Sequence, residues 1–144
     1  MFKKKLAVVL SALGLAASAM VVNVPQAAAE EGCSGSHVRS VNHYNSAGTL
    51  IAVSGAYWDG TYMCLVTVKK NSYYGKLTRI QQISNRKNLS TGNYTYKTND
   101  ETVYYWAGPL KVNGVNACIN FEVDLWNANG VNVAQDYNYA PYCH

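Results

Sequence analysis

Apolar and polar residues alternate in short runs along this chain, and turn residues such as Asn-Gly and Asp-Gly separate the runs. A period of two is typical of strands that have one buried face. No segment after residue 29 keeps the apolar period that a helix requires. We therefore predict an all-β fold, a small antiparallel sandwich or flattened barrel of about six to eight strands.

The clearest pattern spans residues 102–126 and centres on Asn113-Gly114. This dipeptide favours a two-residue hairpin turn, because both residues tolerate positive φ angles. The resulting register would place Trp106 opposite Phe121 and would gather the apolar side chains on one face. The predicted buried face consists of Tyr104, Trp106, Leu110, Val112, Val115, Ala117, Ile119, Phe121 and Val123.

Two further hairpins are predicted by the turn signals at residues 59–60 and 129–130. The first joins strand 49–58, whose two faces we expect to be partly covered, to a strand that ends near residue 69. The second returns the chain along the central strand. The weaker expectations are strands at 37–44, 77–83 and 92–98, a loop at 85–89 and a turn at 99–100.

All four cysteines follow residue 29, and an even number in a short chain predicts two disulfide bonds if the chain is exported. In the register of the last hairpin Cys118 lies opposite Pro141, one diagonal step from Cys143. A small slip or bulge would bring the two sulfurs within bonding distance, so we prefer this pair. Cys33–Cys64 then follows by elimination, and two other pairings remain open.

The first 29 residues predict a cleaved signal peptide. Lysines at 3–5 precede the apolar run 6–24, and Ala27-Ala28-Ala29 provides a cleavage site. Residues 30–144 would then be a single secreted domain. Three of the 12 basic residues leave with the signal, so nine basic residues face eight acidic ones. This near-neutral balance gives no reason to expect nucleic acid or, after cleavage, a membrane as a partner.

No catalytic signature is recognisable in the chain. His37 and His43 share a strand face but lie too far apart for a common metal, and we interpret both as solvated. Glu122 and Asp124 have a spacing near that of paired carboxylates in glycosidases. We interpret them as the solvent side of an alternating strand. We therefore expect no catalytic residue, no metal or cofactor, and no enzyme activity.

The aromatic content is the strongest functional lead, since all 12 tyrosines and three tryptophans follow residue 29. Tyr105, Trp126, Tyr137 and Tyr139 are predicted to form a ligand surface near Asn and Asp side chains. Flat ring faces beside planar hydrogen-bonding groups suit a carbohydrate, such as a cell-wall or spore-coat glycan. The competing interpretation is that tyrosine is simply a good strand former.

The run Tyr-Tyr-Trp-Ala-Gly-Pro at 104–109, followed by Cys118, resembles the secreted spore-associated protein A family of actinobacteria. The segments 33–36 and 64–69 and the late Cys143 fit the same pattern. The resemblance implies a small exported bacterial protein found with spore or cell-envelope material, and it brings no catalytic residues. Our leading prediction is thus a secreted spore- or cell-surface-associated protein without catalytic activity. The alternatives are a carbohydrate- or cell-wall-binding module and a secreted inhibitor.

Overall fold

A computed structural model describes residues 32–136 and 141–144 of the protein. Their strands form two antiparallel sheets that do not close into a barrel, so the predicted all-β sandwich is confirmed. The predicted signal peptide, residues 1–29, lies outside this part of the chain. The strands are β1 (Ser36–Tyr44), β2 (Leu50–Trp58), β3 (Tyr62–Lys69), β4 (Thr78–Asn88), β5 (Tyr94–Val103), β6 (Trp106–Asn113), β7 (Ala117–Trp126), β8 (Asn132–Asp136) and β9 (Tyr142–Cys143).

Sheet A has the strand order β1-β2-β3-β6, and sheet B has the order β5-β4-β7-β8 with β9 also beside β7. The main core lies between the sheets, where alternate residues of each strand point inward. None of the described residues belongs to a helix with the length and apolar character needed to cross a membrane. The largest apolar side chains that are fully buried are Ile51, Met63, Leu65, Ile80, Leu110, Ile119, Leu125, Val66 and Val123.

The predicted central hairpin is wrong. Strand β6 pairs with β3 in sheet A, whereas β7 pairs with β4 in sheet B. The chain at 114–116 therefore crosses between the sheets. Gly114 is needed there for close approach, because an added Cβ would lie 2.5 Å from the Trp58 ring. Alternation determines which face of a strand is buried but does not determine its pairing partner. The predicted inward positions that are buried are accordingly Leu110, Val112, Ala117, Ile119, Phe121 and Val123.

Three residues predicted to point inward are exposed: Tyr104 at 53%, Trp106 at 41% and Val115 at 50%. The physical reason is that the chain bends at Tyr104 and Tyr105, after β5 ends and before β6 begins. Strand alternation does not extend through such a corner. Val115 lies in the crossing between the sheets rather than in a strand.

The hairpin of β2 and β3 is confirmed, with a turn two residues longer than predicted. Asp59 Oδ1 accepts hydrogen bonds from the backbone N–H groups of Thr61 (2.9 Å) and Tyr62 (2.7 Å), and Trp58 lies opposite Met63. Because the shift is two residues, every side chain keeps its predicted face. Both faces are indeed covered. The second, smaller cluster on the outer face contains Cys33, Tyr57, Cys64, Val66 and Val68.

Strands β4 and β5 are longer than the sequence suggested, and they pair along their whole length. The predicted loop at 85–89 and turn at 99–100 are therefore wrong. The reversal occurs after Asn88, whose Oδ1 accepts hydrogen bonds from the N–H groups of Ser90 (2.9 Å) and Thr91 (3.0 Å). Polar residues with local turn propensity are tolerated inside these strands because one face of the pair meets solvent.

The predicted hairpin of β7 and β8 is confirmed, although its connection spans residues 127–131 rather than two residues, and both disulfide bonds are confirmed. Cys118 lies directly opposite Cys143 and bonds to it, two residues from the predicted register. Cys33 bonds to Cys64. Two disulfides are consistent with an oxidising, extracellular location.

Candidate functional site

Four aromatic rings form a contiguous exposed cluster, which we call the aromatic end: Tyr74, Tyr104, Tyr105 and Trp106. Their exposed fractions lie between 41% and 56%. Ring centroids are 4.9 Å apart for Tyr74 and Tyr105, and 6.2 Å apart for Tyr105 and each of its two chain neighbours. Isolated exposed aromatics are ordinary, but a cluster in which three rings surround a fourth, here Tyr105, is typical of a binding surface.

The buried side chain of Lys69 connects the backbone segments beneath the aromatic end. Its Nζ donates hydrogen bonds to the carbonyl oxygens of Lys76 (2.8 Å), Thr78 (3.2 Å) and Val103. The three acceptors match the three N–H groups of a charged ammonium. Burial lowers the pKa of Lys69 to about 8, so the side chain is still mostly charged at neutral pH.

Backbone hydrogen bonds join the two segments that carry the rings. The N–H of Gly75 donates to the carbonyl of Tyr104 (3.0 Å), and the N–H of Lys69 donates to the carbonyl of Tyr105 (2.8 Å). Together with the Lys69 side chain, these bonds hold the 70–77 connection, which includes Tyr74, against the corner between β5 and β6. The rings are thus presented by a fixed backbone rather than by a free loop.

Two shallow depressions meet at Thr102. One, of about 400 Å³, is lined by the rings of the aromatic end other than Tyr74 and by Glu101. The other contains Trp126, over whose ring the Arg79 guanidinium lies at 4.1 Å from the centroid. The structure therefore places two of the predicted ligand residues, Tyr105 and Trp126, in adjacent depressions.

The other two predicted ligand residues, Tyr137 and Tyr139, lie outside the described residues. Sequence reasoning missed Tyr74, Tyr104 and Trp106 as members of the surface. The adjacent aromatic residues at 104–106 were a usable signal, because three successive rings cannot all point into one core from a single strand.

Charged groups beside Trp126 are paired. Arg79 donates two hydrogen bonds to Asp100, at 2.8 and 2.6 Å. The hydrogen bonds from Arg79 lower the pKa of the Asp100 carboxyl group below its usual value. This bidentate pair fixes the Arg79 plane above the indole ring, so one ring face of Trp126 is covered. Tyr105 therefore offers the more accessible stacking surface.

Glu122 and Asp124 do not behave as ordinary solvated strand charges. Asp124 is 5% exposed, and its Oδ1 has no hydrogen-bond partner. Burial raises the pKa of both carboxyl groups, and the neighbouring charge of Asp124 raises that of Glu122 further. The predicted solvent position is thus wrong for Asp124. It fails because β8 lies beside β7 and covers this part of the strand.

A chain of hydrogen bonds crosses the interior, and sequence reasoning missed it. His43 Nδ1 bonds to a carboxylate oxygen of Asp136, and His43 Nε2 lies 2.7 Å from Ser54 Oγ. Ser54 Oγ is 2.8 Å from Thr67 Oγ1, which accepts a hydrogen bond from Gln82 Nε2 at 2.9 Å. The predicted solvated position of His43 is wrong, since its exposure is 0%. No linear pattern connects these residues, because each lies on a different strand.

The side-chain amide of Gln82 determines which atoms donate along this series of hydrogen bonds. Gln82 Nε2 faces the carbonyl oxygen of Ala107 at 3.3 Å as well as Thr67 Oγ1, and in this orientation it donates to both, so the Thr67 hydroxyl proton is left for Ser54. Ser54 in turn donates to His43 Nε2, and the Nδ1–H of His43 donates to Asp136. His43 is therefore neutral, and protonation of its Nε2 would leave the Ser54 hydroxyl proton without this acceptor.

We expect the stability of the protein to depend on His43 below neutral pH. Burial lowers the pKa of His43 from 6.5, and Asp136 opposes part of this shift. Because the folded pKa is below the unfolded value, the unfolded chain takes up the proton first. The free energy of unfolding should therefore decrease as the pH falls below about 6.5. Urea unfolding at several pH values between about 5 and 7.5 measures the slope.

The exposed His37 supplies the control for this pH dependence. The glutamine amide in His43→Gln can replace the hydrogen bonds to Asp136 and Ser54, and it does not titrate. The dependence of the free energy of unfolding on pH should therefore be largely lost in this variant. His37→Gln should retain it. Equal slopes in wild type and His43→Gln would show that another group causes the pH dependence.

Within residues 32–136 and 141–144, no cluster of three or more His, Cys, Asp or Glu side chains could hold a metal ion. Comparisons with known proteins found no matching family model, no matching curated protein and no matching solved structure. The surface and the buried hydrogen-bond chain must therefore be interpreted from their own chemistry.

Proposed function

We propose that this chain is a secreted, surface-associated binding protein whose aromatic end binds a glycan. The observation that carries the proposal is the contiguous cluster of Tyr74, Tyr104, Tyr105 and Trp106, exposed on a backbone that Lys69 holds in place. Sugar rings present apolar C–H faces that stack on aromatic side chains. A fixed platform lowers the entropic cost of such binding.

Polar groups beside the rings supply the hydrogen bonds that a sugar also requires. Glu101 and Thr102 line the same depression as Tyr105, and Arg79 and Asp100 lie beside Trp126. Hydroxyl groups of a glycan can donate to carboxylates and accept from a guanidinium or a hydroxyl. The surface thus combines the two kinds of contact that we expected for a cell-wall or spore-coat glycan.

The location at a cell or spore surface is the second part of the proposal. Its support is the resemblance at residues 104–109 and the two disulfide bonds of an exported chain. Binding of this kind requires no bond-making chemistry at the aromatic end. The protein would remain with the envelope through its affinity for the glycan.

Retention on insoluble glycans tests the proposal, with Tyr105→Ala as the informative variant. We expect the wild-type protein to be retained on insoluble peptidoglycan or another cell-wall polysaccharide. Loss of the central ring should weaken binding about 10-fold or more, the size of effect expected at a binding hot spot. Tyr62→Ala is a matched control, because Tyr62 is 44% exposed and Tyr105 is 43% exposed. The measurement is the bound fraction as a function of protein concentration.

The outcomes separate specific from unspecific binding. Retention that falls in Tyr105→Ala and persists in Tyr62→Ala supports the proposal. No retention of wild type on any glycan would refute it. Equal retention of all three proteins would place the binding surface elsewhere on the molecule.

A further inference from the structure

The hydrogen-bond chain of Asp136, His43 and Ser54 adjoins an apolar cavity of about 350 Å³. Ser54 lines this cavity, which lies between the two sheets and has walls that include Leu65 and Phe121. Pockets of this size and character accommodate small organic molecules. A nucleophile on the wall of such a cavity would meet a substrate held by apolar contacts.

Ser54, His43 and Asp136 are arranged as a nucleophile, its base and the group that orients the base. Asp136 binds the Nδ1–H of His43, which leaves the Nε2 lone pair facing the Ser54 hydroxyl at 2.7 Å. This is the proton arrangement that activates serine in hydrolases of unrelated folds. The hydroxyl of Thr67, 2.8 Å away, donates to Ser54 Oγ and so also stabilises negative charge on that atom.

A positive charge faces the same space. Arg39 is the single cation among the described residues that line the cavity. The backbone around Ser54 is paired within sheet A, to Val41 on one side and Thr67 on the other. The charge that develops on a substrate carbonyl must therefore be stabilised by side chains, and the guanidinium of Arg39 can supply this stabilisation.

We propose that Ser54 is an acyl-accepting nucleophile for small apolar esters that enter this cavity. Ser54 Oγ attacks the ester carbonyl carbon, and its proton moves to His43 Nε2. The ester C–O bond then breaks, and His43 gives the proton to the departing alcohol. Water, activated by His43, next attacks the acyl-Ser54 ester, releasing the acid and restoring the Ser54 hydroxyl.

This activity goes beyond glycan binding and uses a different part of the molecule. It also reverses the expectation that the chain is not an enzyme. That expectation rested on the absence of linear motifs, and motifs such as the nucleophile elbow belong to strand-to-helix turns. Residues 43, 54 and 136 come from strand β1, the middle of β2 and the end of β8, where no such motif would be found.

Labelling with a small alkyl fluorophosphonate tests the proposal on the purified, disulfide-bonded protein. Attack of Ser54 Oγ on phosphorus breaks the P–F bond, fluoride leaves, and the proton passes to His43. We expect the intact mass to increase by one phosphonyl group, located by peptide mapping on Ser54. Ser54→Ala should not be labelled, and Asp136→Asn should be labelled roughly 100-fold more slowly because Asp136 orients His43.

The exposed pair of Ser40 and His37 provides a matched control. Ser40 Oγ lies 2.8 Å from His37 Nε2, so Ser40→Ala removes a serine that also contacts a histidine. Labelling should be unchanged in this variant. Absence of labelling in folded wild type would overturn the proposal, as would labelling that persists in Ser54→Ala. An unchanged rate in Asp136→Asn, with folding checked by circular dichroism, would also count against it.

Discussion

Replacing Lys69 by Met should lower the free energy of unfolding by about 3 kcal/mol. Methionine fills a similar volume, so the substitution mainly removes the three hydrogen bonds to the carbonyls of Lys76, Thr78 and Val103. Each buried acceptor without a donor costs about 1–3 kcal/mol. Relief from burying the ammonium offsets part of this cost. Urea unfolding at pH 7 measures the difference.

Lys97→Met is the matched control for this prediction. Lys97 Nζ also donates to a carbonyl, that of Lys111 at 2.9 Å, but the contact is exposed and water can replace it. We expect a change within about 0.5 kcal/mol for this variant. A loss below about 1 kcal/mol in Lys69→Met would mean that the carbonyls find other donors.

The same substitution connects stability to function. Lys69 ties the connection that carries Tyr74 to the corner that carries Tyr104 and Tyr105. If the aromatic end binds a glycan through a fixed platform, a folded Lys69→Met protein should be retained less well than Lys97→Met. Lys69 would then be a positioning residue, acting through the rings rather than touching the ligand.

Alternation in the sequence predicted most of the buried apolar positions within β6 and β7 but not the strand partners. Leu110 and Ile119 are buried as expected, although β6 and β7 belong to different sheets. A turn signal such as Asn113-Gly114 reports local backbone preference. Pairing depends on contacts between strands that are distant in sequence, which the local signal does not contain.

The disulfide between Cys118 and Cys143 was predictable because the chain that returns along β7 pairs with it within two residues of the expected register. The aromatic end was predictable only in part. Of its four rings only Tyr105 was among the predicted ligand residues, and the position of Tyr74 depends on the 70–77 connection, which has no periodic pattern. Features built from isolated residues on separate strands require the tertiary structure.

The hydrogen bonds that connect Asp136, His43 and Ser54 were still less predictable from the sequence. From sequence alone, histidine and serine in a strand are interpreted as surface residues, because polar side chains are usually exposed. Here each polar atom has a partner that lies on another strand, and this pairing allows burial. Such a side chain is buried only where a residue on another strand satisfies its hydrogen bonds. Neither its burial nor its partner can therefore be predicted from a single strand.

Replacing Gly35 by Ala should be among the most destabilising single changes, with a loss of about 4 kcal/mol or failure to fold. Gly35 has φ of +99°, and an added Cβ would lie 2.2 Å from the carbonyl oxygen of Trp58. The chain cannot move away easily on either side of Gly35. Cys33 is bonded to Cys64 on one side, and Ser36 pairs with Trp58 on the other. The clash must therefore break strand pairing or strain the backbone.

Gly60 separates the two causes, because its φ is also +99° while no atom lies within 4 Å of the added Cβ. Gly60→Ala should cost about 1–2 kcal/mol, the strain of a left-handed backbone alone. Thermal or urea unfolding of both variants gives the comparison. The excess loss in Gly35→Ala then measures the close approach of the N-terminal segment to β2. Equal losses in the two variants would show that this segment moves away without cost, and that the disulfide at Cys33 does not hold it against the sheet.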